Sequence, residues 1–383
     1  MVTIAYAGEG KSVFDFFFLN HLAKKNCVYL LTFNEKPYLV PQNVHIVRIR
    51  EPFHPTVSPM KGLHTYGASF LRSILLRRHL NSIKPDVLIS SGAVSYGFYG
   101  ALKNYSPNIL LVWGSDVLIA PKLFPLRFMA KYALRKADAV VADSQTEENA
   151  CVSLGYDPRK IVKFPWVDLR PMLGEVEKNI ALQEKNREEF RKKLGWFGDD
   201  PIIISTRWHE PVYDVKSLIL AVPYIIQEAR NARFLILGSG GLTGKLKKRV
   251  YALGVEDSVR FFGSVPHSEI PKYLTMSDIY VSTSLSDGTS ASLLEAMACK
   301  LSLVVTDIPA NREWLENGRS GVLVPCKNPK ILAESIVKLL KDEDLRRSLG
   351  TRAYKLVSEK ADWEKNSKIL DSLISSMVNL RRK

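Results

Sequence analysis

The chain has 383 residues, 46% of them hydrophobic and 24% charged, which suits two α/β domains and excludes a disordered, collagen-like or disulfide-stabilised protein. The net charge of +15 is uneven, since residues 51–136 hold 11 Lys and Arg against 3 Asp and Glu. This excess indicates phospholipid, lipid-linked phosphate or nucleic acid as a partner, unless it is only a solvated surface. The four cysteines lack metal-ligand spacing, which predicts buried thiols in a reducing compartment, and no apolar run is long enough to span a bilayer.

The first half of the chain alternates strand patterns with amphipathic helix patterns, which predicts a parallel sheet covered by helices. Its first residues are expected to form a strand and not a signal peptide, and Gly8 and Gly10 follow that strand. Glycines there let backbone approach a ligand, although a plain tight turn explains them equally well. The predicted elements are strands Val2–Ala7, Cys27–Phe33, Val44–Arg48, Asp86–Ser90, Ile109–Val112, Ala139–Asp143 and Ile161–Phe164, and helices Val13–Lys25, Leu71–Ile83, Leu126–Lys136 and Glu147–Leu154.

Two helices of this half carry much of the positive charge. The helix predicted at Leu71–Ile83 contains Arg72, Arg77 and Arg78, and the helix predicted at Leu126–Lys136 is equally basic. An amphipathic helix with a solvated basic face accounts for this pattern, and so does a helix that faces a membrane.

Polar residues follow a later strand of the same half. Because the carboxyl ends of parallel strands form one rim, Asp116 is a candidate for contacting a bound sugar. The alternatives are that Asp116 orients its own loop or caps a turn.

A Pro/Trp/Asp break at 165–168 predicts a domain boundary, after which a charged, mostly helical segment precedes a second α/β series from Pro201. Two successive Rossmann-like halves are the most economical architecture. In the second half, Arg207 follows the first strand and glycine-rich turns lie at 238–241 and 263–266. The predicted elements are strands Ile202–Ser205, Arg233–Leu237, Val259–Phe262, Ile279–Thr283 and Leu301–Thr306, and helices Arg187–Leu194, Val215–Glu228, Leu242–Ala252, Ser268–Met276, Ile331–Leu340, Glu343–Leu356 and one from about Trp363.

The most informative stretch is 281–325, where a strand breaks at Asp287 and Gly288 and a helix begins at about Ala291. A helix start rich in small residues leaves backbone N–H groups free for an anion. Asp287 and Glu295 can accept hydrogen bonds from hydroxyl groups, so the stretch predicts a ligand that is part phosphate and part polyol, such as a sugar nucleotide. Taken alone, a turn Asp and an exposed helix Glu explain the pair better.

The segment 287–295 (DGTSASLLE) resembles the carboxylate-x7-carboxylate motif of retaining glycosyltransferases of sequence family 4, which have the GT-B fold. Agreement extends over nearly the whole chain, at Gly8–Gly10, Lys84–Asp86, Trp113–Asp116, Pro165–Asp168, Arg207, the turn 238–241 and Ala296–Ala298. The resemblance implies two Rossmann-like α/β domains facing across a cleft. Their bounds are 1–168 on the acceptor side, 169–200 as a charged linker, 201–360 on the donor side, and 361–383 as a helix packing back on the first domain.

The sequence departs from the family pattern at several positions. The first motif carboxylate is Asp287 in place of Glu, which marks a subgroup with an Asp-Gly-Thr-Ser form of the motif. Tyr213 stands where the family has a lysine, and Lys216 is the nearest substitute. Trp113 replaces a histidine, and Trp166 and Lys300 replace glycines.

The resemblance also implies a role for each matching residue. Glu295 accepts hydrogen bonds from the ribose, Asp287 holds hydroxyls of the donor sugar, and Arg207 neutralises the leaving diphosphate. The remaining donor-binding residues fall into three groups. Those expected at the phosphates are Gly8, Gly10, Lys216, Gly288, Thr289, Ser290 and Ala291. Asp116 is expected near the sugar, and the residues expected around the base are Gly238, Gly240, Gly263 and Val265.

The function implied is a retaining, metal-independent transfer from a nucleotide sugar to a glycan or lipid-linked acceptor. It would take place in the cytoplasm, with the enzyme peripheral on the inner membrane face. No cofactor and no protein nucleophile is expected, and nucleic-acid binding is not expected because no aromatic platform accompanies the basic helices. Loops 51–70 and 92–106 are expected to select the acceptor. The alternative is a non-catalytic GT-B protein that binds an anion or a partner.

Overall fold

A computed structural model of the chain describes residues 1–51, 63–102, 104–170, 172–174, 183–196 and 200–382. It divides into two compact units, one of Met1–Val167 with Trp363–Lys383 and one of Asp168–Asp362. Each unit is built on a parallel sheet, so the predicted pair of α/β domains is confirmed. Within the described residues, no helix combines the length and apolar character needed to cross a membrane.

The first unit has a seven-stranded parallel sheet with the order β3-β2-β1-β4-β5-β6-β7. Alternate residues of β1 point to opposite faces, which places Ile4 and Tyr6 in one core and Ala5 and Ala7 in the other. Its elements are β1 Thr3–Ala7, α1 Val13–Leu22, β2 Cys27–Thr32, β3 His45–Arg48, α2 Leu63–Ile83, β4 Val87–Ser91, α3 Gly97–Leu102, β5 Asn108–Leu111, α4 Phe124–Lys136, β6 Ala139–Ala142, α5 Gln145–Ser153 and β7 Ile161–Lys163.

The second unit has a six-stranded parallel sheet with the order β10-β9-β8-β11-β12-β13. Its elements, with the last helix of the chain, are α6 Gln183–Lys193, β8 Ile202–Ser205, α7 Val215–Glu228, β9 Arg233–Leu237, α8 Thr243–Ala252, β10 Val259–Gly263, α9 Ile270–Thr275, β11 Ile279–Ser282, α10 Ala291–Ala298, β12 Ser302–Thr306, α11 Pro309–Arg312, β13 Val322–Val324, α12 Pro329–Lys341, α13 Glu343–Lys360 and α14 Trp363–Arg382. The short edge strand β13 is absent from the strands predicted for this half, the last of which was Leu301–Thr306.

Helix α14 belongs to the first unit although it ends the chain. Its apolar side, with Leu370 and Ile374, packs in the core that also holds α1. At the polar edge of this contact, His21 Nε2 lies 2.8 Å from Asp371 Oδ1. The helix therefore covers one face of the first sheet.

The segment predicted as the charged linker, 169–200, lies in the second unit. In its helix α6, Arg187 Nη2 donates to Asp278 Oδ1 at 2.7 Å, and Trp196 just beyond the helix is buried. These contacts tie the described part of the segment to the second sheet.

The predicted acceptor loops contain helix. Helix α2 begins at Leu63, and the predicted loop 92–106 contains α3, most of which is buried. A Cβ at Gly97 would lie 2.7 Å from the carbonyl oxygen of Gly92, so a larger residue would require this backbone to shift. Glycines have low helix propensity, and packing overrides it here. Residues 52–62 of the first predicted loop lie outside the described residues.

Candidate functional site

Arg207 and Asp287 come together at the carboxyl edge of the second sheet. They follow β8 and β11, which are neighbouring parallel strands, so their loops meet at one rim. Arg207 Nη2 donates to Asp287 Oδ2 at 2.5 Å. At the other end of the guanidinium, Nη1 donates to Ser290 Oγ at 2.5 Å and to Ser292 Oγ at 2.8 Å. The guanidinium is thus fixed at both ends.

The same guanidinium lies over an aromatic ring, with Arg207 Cζ 4.3 Å from the centroid of Tyr213. Burial lowers the pKa of Arg207, but Asp287 and the nearby tyrosines raise that pKa by more, so the net shift is upward. Burial raises the pKa of Asp287, and the Arg207 charge opposes that shift. The site therefore holds a guanidinium that stays charged beside a carboxylate that offsets it.

The start of α10 faces this pair. Gly288, Thr289 and Ser290 are buried, and Ser290 is the N-cap residue, yet its hydroxyl makes no cap bond to the helix. That hydroxyl contacts Arg207 instead. The first turn of α10 consequently keeps the positive end of the helix dipole available to an anion.

Glu295, on α10, is buried and paired with a histidine that the sequence analysis did not single out. His267 Nε2 lies 2.7 Å from Glu295 Oε1. Burial lowers the pKa of His267, and the bond to Glu295 raises it by more, so the net shift is upward. One feature of the sequence could have indicated His267 as a site residue, namely its position directly after the turn 263–266, whose Gly263 and Val265 were assigned to the base.

Two of the predicted base-binding glycines pack against the backbone of residues 207–209, the loop that carries Arg207. Gly238 has φ +92°, and a Cβ there would lie 2.6 Å from the carbonyl oxygen of Arg207. At Gly240 a Cβ would lie 2.7 Å from the carbonyl oxygen of His209. By contrast, Gly263 has φ +80° with no described atom within 4 Å of an added Cβ, and Val265 is half-buried.

Lys216, predicted as the substitute for the family lysine, is exposed on α7. The place expected for the lysine is filled by the Tyr213 ring described above. Lys300 adopts φ +58°, the left-handed conformation that the family's glycine would favour, and its Nζ lies 4.6 Å from the ring centroid of Tyr354.

In the first unit, Gly8 and Gly10 are buried. The Gly10 N–H donates to Asp15 Oδ2 at 3.1 Å, and the Tyr6 hydroxyl donates to Asp15 Oδ1 at 2.6 Å. A Cβ at Gly8 would lie 2.6 Å from the Tyr6 ring. Both glycines therefore meet local packing or backbone requirements.

Asp116 is buried, and both of its carboxylate oxygens accept backbone N–H groups. The donors are Ala93 at 2.6 Å and Trp113 at 2.8 Å. Burial raises the pKa of Asp116, and these hydrogen bonds oppose the shift. Of the interpretations left open, this geometry matches Asp116 as the residue that orients its own loop.

Two of the departures from the family pattern explain each other. The rings of Trp113 and Trp166 lie 4.8 Å apart, and Trp166 also contacts Phe18 at 4.8 Å. Trp113 Nε1 donates to Ser91 Oγ at 2.6 Å. Each tryptophan thus serves as a packing partner for the other.

Across the described part of the chain, no three His, Cys, Asp or Glu side chains are grouped closely enough to hold a metal ion. What the second unit brings together is a buried arginine, serine hydroxyls, a helix start and two carboxylates. Such a set can bind an anion at the arginine and hydroxyl groups at the carboxylates.

Two family models match the chain. Residues 3–144 match the family described as glycosyl transferase 4-like, and residues 186–356 match glycosyl transferases group 1. Among curated proteins, the chain is 26% identical over 298 residues to N-acetyl-alpha-D-glucosaminyl L-malate synthase of Bacillus anthracis, covering 78% of this chain and 75% of that protein.

Solved structures match the chain over nearly its full length. Sucrose-phosphate synthase from Thermosynechococcus elongatus superposes with a TM-score of 0.82 at 15% identity, covering 99% of this chain and 100% of that one. HepE from Anabaena, in complex with UDP and glucose, superposes with a TM-score of 0.78 at 16% identity, covering 98% of this chain and 100% of that one. These likenesses confirm the predicted GT-B fold.

Proposed function

We propose that this glycosyltransferase of the GT-B fold moves a sugar, with retention of anomeric configuration, from a nucleotide-sugar donor to a glycan or lipid-linked acceptor. Within the family we assign it to the subgroup with an Asp-Gly-Thr-Ser motif. The observation that carries the proposal is the single cluster formed by Arg207, Asp287 and Ser290 at the start of α10. HepE, crystallised with UDP and glucose, supports a nucleotide-sugar donor.

Arg207 is the residue assigned to the leaving diphosphate. A guanidinium stays charged at every accessible pH and can bind two phosphate oxygens at once. Its contacts to two serine hydroxyls and the Tyr213 ring fix its position before the donor binds. Positioned charge of this kind stabilises the negative charge that develops as the glycosidic bond breaks.

Asp287 offsets the buried arginine and would also hold hydroxyls of the donor sugar. Its Oδ2 accepts a hydrogen bond from Arg207, so Asp287 offsets the arginine charge before the donor binds. In the complex, the same carboxylate would hold the sugar next to the guanidinium. Gly288, Thr289, Ser290 and Ala291 bring the start of α10 to the diphosphate.

Glu295 is assigned to the ribose. Its Oε1 is held by His267, and its Oε2 is the oxygen we assign to a ribose hydroxyl. His267 acts as a positioning residue, because it orients the carboxylate without being placed against the donor.

Arg207 and the helix start together supply the charge stabilisation for which other transferases use a divalent ion. We therefore propose that transfer is metal-independent and uses no protein nucleophile, the acceptor attacking from the face that the phosphate leaves. The acceptor would be bound by the first unit, at the inner face of the cytoplasmic membrane, where the basic charge of residues 51–136 faces anionic lipid.

A thermal-shift screen with UDP-, GDP- and ADP-sugars tests the donor assignment. One base is expected to raise the melting temperature of the wild type and to leave Arg207→Ala unshifted. If no sugar nucleotide shifts the wild type, the non-catalytic alternative replaces this proposal.

A further inference from the structure

Helix α4 exposes apolar side chains on its solvent side. Phe124 is 84% exposed and Phe128, one turn later, is 59% exposed. Lys131 and Arg135 continue the same stripe and are also exposed, at the spacing that places residues on one helix face. The stripe is therefore apolar in its first half and basic in its second.

Helix α2 repeats this arrangement. Phe70 is 56% exposed and Ile74, one turn later, is 42% exposed. Arg78 follows after one more turn and is exposed. Two helices of the same unit thus carry the same order of apolar and then basic side chains.

The two stripes lie on helices that cover the same side of the first sheet, and their apolar halves are at similar distances from the ends of those helices. Core residues of α2, α3 and α4 belong to the same side of the first sheet. Because α2 leads into β4 and α4 into β6, which run parallel, both helices run in the same direction. Phe70 is 13 residues before the end of α2 and Phe124 is 12 before the end of α4, or about 20 and 18 Å. The apolar halves are consequently level with each other.

The acidic residues of this region do not offset its positive charge. Only 3 Asp and Glu occur in 51–136. Glu51 is paired with Arg72, and Asp86 and Asp116 accept backbone N–H groups. Within residues 51–136 the positive charges therefore outnumber the negative ones, and the exposed basic halves of both stripes carry part of that excess.

A cavity beside α4 adds a place for a headgroup. It has a volume of about 270 Å³ and is lined by Phe128 and Tyr132 together with Lys131 and Arg135. Two cations over an apolar floor suit a phosphate that carries a hydrocarbon chain.

From these observations we propose that the stripes Phe70–Arg78 and Phe124–Arg135 form a docking surface for an anionic phospholipid bilayer, with the aromatic halves inserted and the basic halves against the phosphates. Grouped exposed apolar side chains mark an interaction surface, and adjoining positive charge selects anionic lipid. Phe70, Phe124 and Phe128 could stack on bases, but Ile74 and the neighbouring Leu123 offer no stacking plane. A surface that mixes aliphatic and aromatic side chains suits acyl chains better than nucleic acid. This inference deepens the proposed function, because it rests on an acceptor located at the membrane.

The test is sedimentation of the full chain with vesicles of phosphatidylcholine alone and of phosphatidylcholine with an equal part of phosphatidylglycerol. Wild type is expected to bind the anionic vesicles and to be released by salt. Phe124→Ser with Phe128→Ser, and separately Lys131→Glu with Arg135→Glu, should each reduce partitioning about tenfold or more.

The matched controls lie in the second unit. Tyr224→Ser with Tyr251→Ser removes two exposed aromatic rings, and Lys330→Glu with Lys338→Glu makes the same charge change on exposed α12 positions. Both are expected to bind vesicles as wild type does, and the melting temperature of every variant verifies folding.

The inference is overturned if wild type stays in the supernatant at low salt, or if the phenylalanine variant binds as wild type. Dimerisation that the phenylalanine variant abolishes, without vesicle binding, would instead assign the surface to a second copy. Sugar-nucleotide binding is measured in parallel by thermal shift. Its absence would overturn the proposed function while leaving the lipid result to stand on its own.

Discussion

Arg207 and Asp287, 80 positions apart in sequence, share a hydrogen bond of 2.5 Å between Nη2 and Oδ2. The guanidinium assigned to the diphosphate is therefore already neutralised in the free protein. Arg207 is buried and Asp287 is partly buried, at 17% side-chain exposure, so the arginine in particular depends on its partner for solvation. Stability and donor binding are consequently coupled at this pair.

Replacing Arg207 by alanine should affect both properties. It leaves the partly buried Asp287 without its partner, which we expect to cost about 2 kcal/mol of unfolding free energy, below the range for a fully buried pair. It also removes the charge at the leaving group, which should lower kcat by about 100-fold or more. Arg207→Lys keeps the charge but loses the contacts at both ends of the guanidinium. Its unfolding free energy and kcat should therefore lie between those of the wild type and those of the alanine variant. Denaturant unfolding and donor hydrolysis measure the two effects, and unchanged kcat in the alanine variant would contradict the role of Arg207.

The His267–Glu295 pair should make stability depend on pH. The pKa of His267 is raised in the folded state, because its bond to Glu295 outweighs the opposing effect of burial. The stabilisation that this pair adds to the folded state is complete below the ordinary histidine pKa. It is lost as the pH rises through the pKa of His267 in the folded state. His267→Gln should flatten this loss in unfolding free energy across neutral and mildly alkaline pH, whereas the exposed His45→Gln should not. An unchanged slope in the His267 variant would contradict the pairing.

Tyr213 should matter through its ring and not through its hydroxyl. Arg207 Cζ lies 4.3 Å from the ring centroid, and a partly desolvated contact of this kind is worth about 1 kcal/mol. Tyr213→Ala is expected to reduce kcat/KM about fivefold, since 1 kcal/mol corresponds to about that factor. Tyr213→Phe should retain wild-type values, and a loss in the phenylalanine variant equal to that in the alanine variant would contradict the argument.

Gly238 and Gly263 offer a matched comparison. Both have positive φ, but a Cβ at Gly238 would meet the Arg207 carbonyl oxygen at 2.6 Å, whereas a Cβ at Gly263 would meet no described atom within 4 Å. Alanine at either position costs about 1 kcal/mol for the left-handed backbone. Gly238→Ala should cost about 1–3 kcal/mol more, because backbone must move. Equal unfolding free energies for the two variants would show that the close approach does not constrain the loop.

The sequence predicted the strands of the second sheet well because they are short apolar runs bounded by turns. The strand Ile202–Ser205 was predicted at its observed bounds, and so were the helix Val215–Glu228 and the strand Arg233–Leu237. Helix α3 was missed because glycine disfavours helix. Its side chains Phe98, Tyr99 and Ala101 are buried in the core of the first unit, and tertiary packing of this kind is not visible in a local pattern.

Within the candidate site, spacing and resemblance selected residues but not their contacts. The bond between Arg207 and Asp287 depends on two loops meeting at one rim, which no local pattern specifies. His267 carries no motif of its own, so its pairing with Glu295 required the fold. The packing of Gly238 against Arg207 was likewise invisible, because a glycine fingerprint does not say which backbone approaches it.

The most direct test of sugar transfer with retention is time-resolved NMR of the sugar released to water from the nucleotide sugar that stabilises the protein most. The account predicts that the first anomer released has the configuration of the donor. It also predicts that Arg207→Ala slows release by about 100-fold or more, while Tyr224→Ser with Tyr251→Ser in the second unit leaves the rate unchanged. Release of the inverted anomer, or no turnover of any sugar nucleotide by the wild type, would contradict it.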